Sequence, residues 1–336
     1  MSAVRNLVVF IDGTDCDFGK KTRCEWSNIA RMYHACERLR LSGDVQQVAQ
    51  YFDGVGSRRS ESVLLDQAFG LALGERVEEA YGWLKKEVAN AHSDGCDPRV
   101  FLFGFSRGAF AARWLAALLD FCGVPGPAED KFAGIEAFAR RDESAAREML
   151  GSGRYEKVPI AVLGLFDSVK ARPGSDYGVK RSPGIAEKVY HALAIDEWRS
   201  DFDALLFEDG DKAVQRWFAG GHSDVGGGYG DPAATDEETL RERCASDVAF
   251  SWMLGNAADG GLVLCDGCRD VPFNADVKPV FHDERTSLYT VRNLFNIASR
   301  LFYRAIPANA DAHESVALWR DKYNLAHANL PGGQAV

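Results

Sequence analysis

Three residue types with a chemical use recur at telling places in this chain: a serine, an aspartate and a histidine, each at the end of an apolar run. Ser106 is the centre of Gly104-Phe105-Ser106-Arg107-Gly108, a G-x-S-x-G pentapeptide. In that setting a strand turns sharply into a helix, and the small residues two before and two after relieve the crowding. The hydroxyl is then exposed, and the next backbone N–H, that of Arg107, sits at a helix N-terminus. The pentapeptide also arises by chance around ordinary structural serines. Its flanks favour a nucleophile, because "RVFLFG" (99–104) reads as a strand and the alanine-rich run from about 107 as a helix.

A serine nucleophile needs a base, usually an imidazole oriented by a carboxylate. Of the seven histidines, His34, His92 and His191 fall on or near segments that read as helix, and His327 lies in the polar tail. His222 directly follows the apolar run "RWFAGG" within the glycine-rich "HSDVGGGYGD" and is the first choice. His313 in "AHESV" and His282 in "FHDERTS" are the alternatives. Asp167 closes "LGLFD", where a carboxylate is costly to bury without a partner such as an imidazole N–H. Asp224 competes for that role but is only two residues from His222, so it reads as shaping the loop.

Acyl transfer also requires two N–H donors aimed at the developing oxyanion. Arg107 supplies one, and Gly13 or Thr14 of "IDGTD" the other, with Asp12 holding that loop by hydrogen bonding. The same "DGT" occurs in haloacid-dehalogenase phosphatases. Their nucleophilic aspartate would fall at position 10, which is Phe10, so that chemistry fails at its essential residue.

Positioning these residues calls for an α/β fold with a mostly parallel central sheet, helices on both faces and inserted cap-like loops. Strands are expected at 7–12, 48–53, 99–104, 158–167 and 216–221. Helices are expected at 26–40, 61–91, from about 107, over the polar stretch 128–150 and near 184–194. Each strand ends in a polar residue or glycine, which would bring Asp12, Asp53, Ser106, Asp167 and His222 to the carboxyl edge where such sheets bind ligands. Neither an internal repeat nor a low-complexity linker interrupts residues 1–336, so a single domain is expected. Segments 171–215 and 231–290 are candidates for a cap, and Trp198, Phe202, Leu205, Leu206 and Phe207 for an acyl groove or for core.

The composition narrows the field. A net charge of −10 disfavours nucleic acid, whose phosphates need clustered Lys and Arg, and tight docking on anionic membranes. The first apolar run is too short for a signal peptide or a membrane span, and "AFAARWLAALLDFCGV" is broken by Arg113 and Asp120. A cytoplasmic protein with reduced thiols follows, unless a signal-independent machine exports it. Cys265 and Cys268 have zinc-ligand spacing but no second pair nearby and read as a loop. No cofactor is expected, although the acidic 222–231 loop has the oxygen content for calcium.

In order along the chain, "LVVFIDGT", "WSNIARMYHA", "YFDGVGS", "GFSRGAFAAR", "GLFDSVKA", "WFAGGHSDVGGGY" and "HESVALWR" resemble the catalytic domain of type VI secretion phospholipase effectors. That domain is also carried by many bacterial and fungal proteins of unknown function, and the resemblance spans about residues 5–320. It implies an α/β-hydrolase fold and carboxylic-ester hydrolysis, with Ser106, Asp167 and His222 at the catalytic positions. Glycerophospholipid is the substrate it favours, ahead of a small ester, a thioester or an acylated sugar. Transient membrane contact and a secretion-machinery or immunity-protein partner are further implications. A non-catalytic binding module on the same fold is the contrasting expectation.

Overall fold

Leu7, Val9 and Ile11 pack into one apolar cluster, Val8 and Phe10 into another, and all five are buried. A strand with no polar face must be covered on both sides. The computed structural model describes residues 2–14, 16–19, 21–54, 66–124, 156–170, 179–199, 202–208, 210–231, 233, 235–268, 277–282, 304 and 306–323. The expected helix at 128–150 lies outside them.

In chain order the elements are β1 (Ala3–Ile11), α1 (Asn28–Ala35), β2 (Leu39–Arg40), β3 (Val45–Phe52), α2 (Asp66–Ser93), β4 (Cys96–Phe105) and α3 (Arg107–Cys122). There follow β5 (Ile160–Phe166), β6 (Ala186–Ala194), β7 (Val214–Phe218), α4 (His222–Gly226), α5 (Asp236–Asp259), β8 (Asp311–Ala312) and α6 (Glu314–Tyr323). They form an eight-stranded sheet of order β2-β3-β1-β4-β5-β6-β7-β8. Among the described strands β2 alone runs antiparallel to its neighbour, and the other pairings are parallel. Helices α2 and α3 cover one face, with Val77, Leu84, Phe110 and Leu115 in its cluster. Helices α1 and α5 cover the other with Ile29, Met32, Phe250 and Met253. This is an α/β fold with a mostly parallel sheet between helical layers.

Two expectations need correction. Residues 184–194 are not a helix: Ala186–Ala194 form β6, a central strand between β5 and β7. Alanine, glutamate and lysine favour a helix locally, but pairing on both edges and burial of the segment's second half override that preference. His191 is consequently buried in the sheet and not on a surface. The expected helix 26–40 stops at Ala35, and the chain continues into β2 at the sheet's edge.

Candidate active site

Ser106 stands between β4 and α3 with φ 59° and ψ −125°. Its own N–H donates to the Phe166 carbonyl at 3.0 Å, tying the turn to the end of β5. The flanking glycines allow this geometry by close approach. A Cβ on Gly104 would lie 2.5 Å from the Gly108 carbonyl oxygen, and one on Gly108 would lie 2.8 Å from the Asp12 carbonyl carbon. The start of α3 therefore presses onto the loop after β1. In that loop a Cβ on Gly13 would sit 3.4 Å from Ser106 Cβ.

Asp167 follows β5 with φ 40° and is completely buried. Its Oδ2 pairs with His222 Nδ1 at 2.6 Å, and its Oδ1 accepts the Ala194 N–H at 2.9 Å. Arg304 grips the same carboxylate with both terminal nitrogens, Nη1 to Oδ1 at 2.6 Å and Nη2 to Oδ2 at 2.8 Å. Burial pushes the Asp167 carboxyl up, but Arg304 and His222 more than offset it, and it is held well below the usual carboxylate range. An ionised Asp167 makes Nδ1 the protonated nitrogen of His222, leaving the Nε2 lone pair for a proton.

Burial pushes the His222 imidazole below its ordinary value, against the pull of Asp167. The ring packs at 4.7 Å on Phe105, the residue before Ser106, and at 4.8 Å edge-on to Phe202. Among the described residues no hydrogen bond joins Ser106 to His222; such contacts commonly tighten only around substrate. The His222 loop is pinned from below by residues after β6. Glu197 accepts the His222 N–H at 3.2 Å, and Asp196 accepts the Gly220 N–H at 2.8 Å.

Asp224 is buried beside this loop and accepts from the Gly221 N–H at 2.9 Å and the His282 N–H at 3.1 Å. Its other oxygen meets His282 Nδ1 at 2.7 Å, so Asp224 and His282 form their own pair. His313 lies elsewhere, stacked on Phe218 at 4.9 Å, with its Nδ1 accepting the Ser315 N–H at the start of α6. Sequence reading missed His191, whose Nε2 accepts the Ser168 N–H at 3.1 Å and so braces the turn at Asp167. Burial, with Arg113 nearby, pushes His191 down to about 3, which keeps it neutral.

The loop after β1 is built around Asp12. One carboxylate oxygen accepts the Gly13 N–H at 2.7 Å, and the other accepts the Ser27 and Tyr51 hydroxyls, both at 2.6 Å. Ser27 also caps α1 through the Ala30 N–H. The Gly13 amide, one of the two donors expected from this loop, is thereby committed to Asp12. Among the described residues the buried Thr14 hydroxyl has no hydrogen-bond partner.

Of the candidate acyl-groove residues, Leu205 and Phe207 are core. The buried Arg113 guanidinium binds the Leu205 carbonyl and stacks 3.8 Å from the Phe207 ring. Phe202 remains at the site, against His222. Among the described residues no group of three or more His, Cys, Asp or Glu could hold a metal ion. Cys265, of the pair with zinc-ligand spacing, instead bonds the Cys36 carbonyl at 3.4 Å. Among the described helices none is long and apolar enough to cross a membrane.

A mostly parallel sheet bearing a strained serine elbow after β4, with a carboxylate after β5 and an imidazole after β7 at the same edge, defines the α/β-hydrolase-like class. The profile of the family described as "T6SS, Phospholipase effector Tle1-like, catalytic domain" matches residues 5–256, and the chain belongs to that family. An uncharacterized Saccharomyces cerevisiae protein, YEL023C, is 27% identical over 243 residues. That alignment covers 61% of this chain and 33% of the yeast protein, so the chain spans about a third of that relative. The Tle1 effector solved bound to the VgrG spike of the type 6 secretion system is similar in fold, with TM-score 0.53 and 16% identity. The match covers 95% of this chain and 83% of Tle1. An uncharacterized Pseudomonas aeruginosa protein gives TM-score 0.51 and 19% identity over 95% of this chain and 52% of its own.

Proposed function

We propose that the protein is a serine carboxylic-ester hydrolase of the lipase or phospholipase type, acting through Ser106, His222 and Asp167. The observation that carries this reading is the buried 2.6 Å pairing of His222 with Asp167, on a ring packed against the residue that precedes Ser106. Ser106 Oγ attacks the acyl carbonyl while His222 Nε2 takes its proton. Asp167 keeps the opposite nitrogen protonated and stabilises the imidazolium that forms. The backbone N–H groups of Arg107 and Thr14 receive the oxyanion. Collapse breaks the bond to the alcohol, which leaves with the proton from His222. Water then repeats the sequence on the acyl-enzyme and releases the acid and free Ser106.

Family membership and the partly buried Phe202 beside the imidazole favour a glycerophospholipid substrate. The spike-bound state of the similar Tle1 effector supports a secretion-spike protein as carrier, and with it export by a route that needs no signal peptide. The test is fatty-acid release from phospholipid vesicles and from p-nitrophenyl esters, wild type against Ser106→Ala. Release from both by wild type alone is expected. Ester cleavage without vesicle cleavage would make the protein a small-ester hydrolase, and equal rates for wild type and Ser106→Ala on every substrate would exclude serine catalysis.

A further inference from the structure

Arg304 has no place in any sequence motif, and it lies 48 residues beyond the end of the family match at residue 256. It is nevertheless buried against the Asp167 carboxylate, with both terminal nitrogens engaged. Nη1 also donates to the Ala194 carbonyl at 2.9 Å, and Nη2 to the Phe202 carbonyl. A single guanidinium thus joins three places at the site: the turn after β5, the end of β6, and the segment that lays Phe202 on His222.

We propose that Arg304 is a positioning residue for hydrolysis, locking the plane of the Asp167 carboxylate that aims His222 and holding the pair in its neutral-imidazole form. This rests on the Ser106–His222–Asp167 reading. The planar fork matches both carboxylate oxygens, so Asp167 cannot rotate away from Nδ1. Its charge also makes burial of the aspartate tolerable, because a lone imidazole N–H and one amide would leave a buried anion underpaired.

The groups that face His222 are Asp167 after β5, Glu197 after β6, and Arg304; Glu197 is itself bound by Arg199 at 2.7 Å. Among these Arg304 alone opposes protonation of the imidazole. Removing it therefore moves proton uptake by the pair to higher pH. Because the base must be neutral, the acid limb of kcat/KM moves with it.

The experiment uses the full chain, after confirming that a fluorophosphonate labels Ser106 in the wild type; without that label the underlying triad reading fails, independently of Arg304. The pH profile of p-nitrophenyl butyrate hydrolysis is then measured for wild type, Arg304→Met, Arg304→Lys and Arg304→Ala with and without guanidinium. Arg304→Met should lower kcat roughly 10²-fold, the scale of a misaligned catalytic group, with KM little changed and the acid limb at higher pH. Arg304→Lys should keep the acid limb while losing much of kcat, and guanidinium should restore part of the Arg304→Ala activity. A folded Arg304→Met with wild-type kcat and acid limb would overturn the proposal. If Arg304→Met does not fold, wild-type kcat in Arg304→Lys would overturn it.

Discussion

Ser106 and Asp167, at the ends of the adjacent strands β4 and β5, are the two non-glycine residues with left-handed φ among those described, at 59° and 40°. Their backbones are linked, since the Ser106 N–H donates to Phe166, the residue before Asp167. Side chains that would continue along each strand are instead turned onto the carboxyl edge of the sheet. Such conformations cost about 1–3 kcal/mol each and persist only where the surroundings enforce them. Here the close packing of Gly104 and Gly108 enforces one, and the pairing of Asp167 with Arg304 and His222 the other.

Ser106→Gly should abolish ester hydrolysis and raise stability by about 1 kcal/mol, because glycine adopts φ near 60° without strain. Denaturant unfolding measures it. A variant less stable than wild type would show that the turn stores no strain.

His222→Ala should reduce kcat by about 10⁴-fold or more, while His313→Ala should retain most activity, since His313 caps α6. His282→Ala removes the partner of Asp224 and should lower stability more than kcat. Steady-state kinetics on a soluble ester separate the three. An inactive His313→Ala beside an active His222→Ala would reassign the base.

Thr14→Val keeps the shape of the loop after β1 and deletes its buried hydroxyl, which has no partner among the described residues. If that hydroxyl turns onto the oxyanion, kcat falls about 10²-fold with KM little changed, and Thr14→Ser restores it. An unchanged kcat in Thr14→Val would leave only backbone donors at this position.

Burial holds the His222 imidazole below the ordinary histidine value. A general base works only when neutral, so activity should persist as pH falls and the acid limb of kcat/KM should have its midpoint below about 6.5. A midpoint above that value would mean that Asp167 dominates over burial and Arg304.

The strands that carry the site were readable because each is an apolar run with an abrupt polar end, and Asp12, Ser106 and Asp167 fall where those runs stop. His222 was readable from the glycines around it. β6 was not, because "AEKVYHALA" carries helix-favouring residues and only its sheet neighbours make it a strand; with it went Asp196, Glu197 and His191. The choice between Gly13 and Thr14 turned on one hydrogen bond to Asp12, which no residue pattern specifies. Arg304 was invisible for a similar reason: a guanidinium meeting a carboxylate 137 residues away leaves no mark in local sequence.

The central claim is that Ser106 is a nucleophile activated by His222. Incubation with a fluorophosphonate, followed by intact-mass and peptide mass spectrometry, tests it most directly. One adduct on Ser106 is predicted, absent from Ser106→Ala and strongly slowed in His222→Ala. Undiminished hydrolysis with no adduct, or an adduct on another residue that tracks the loss of activity, would contradict it.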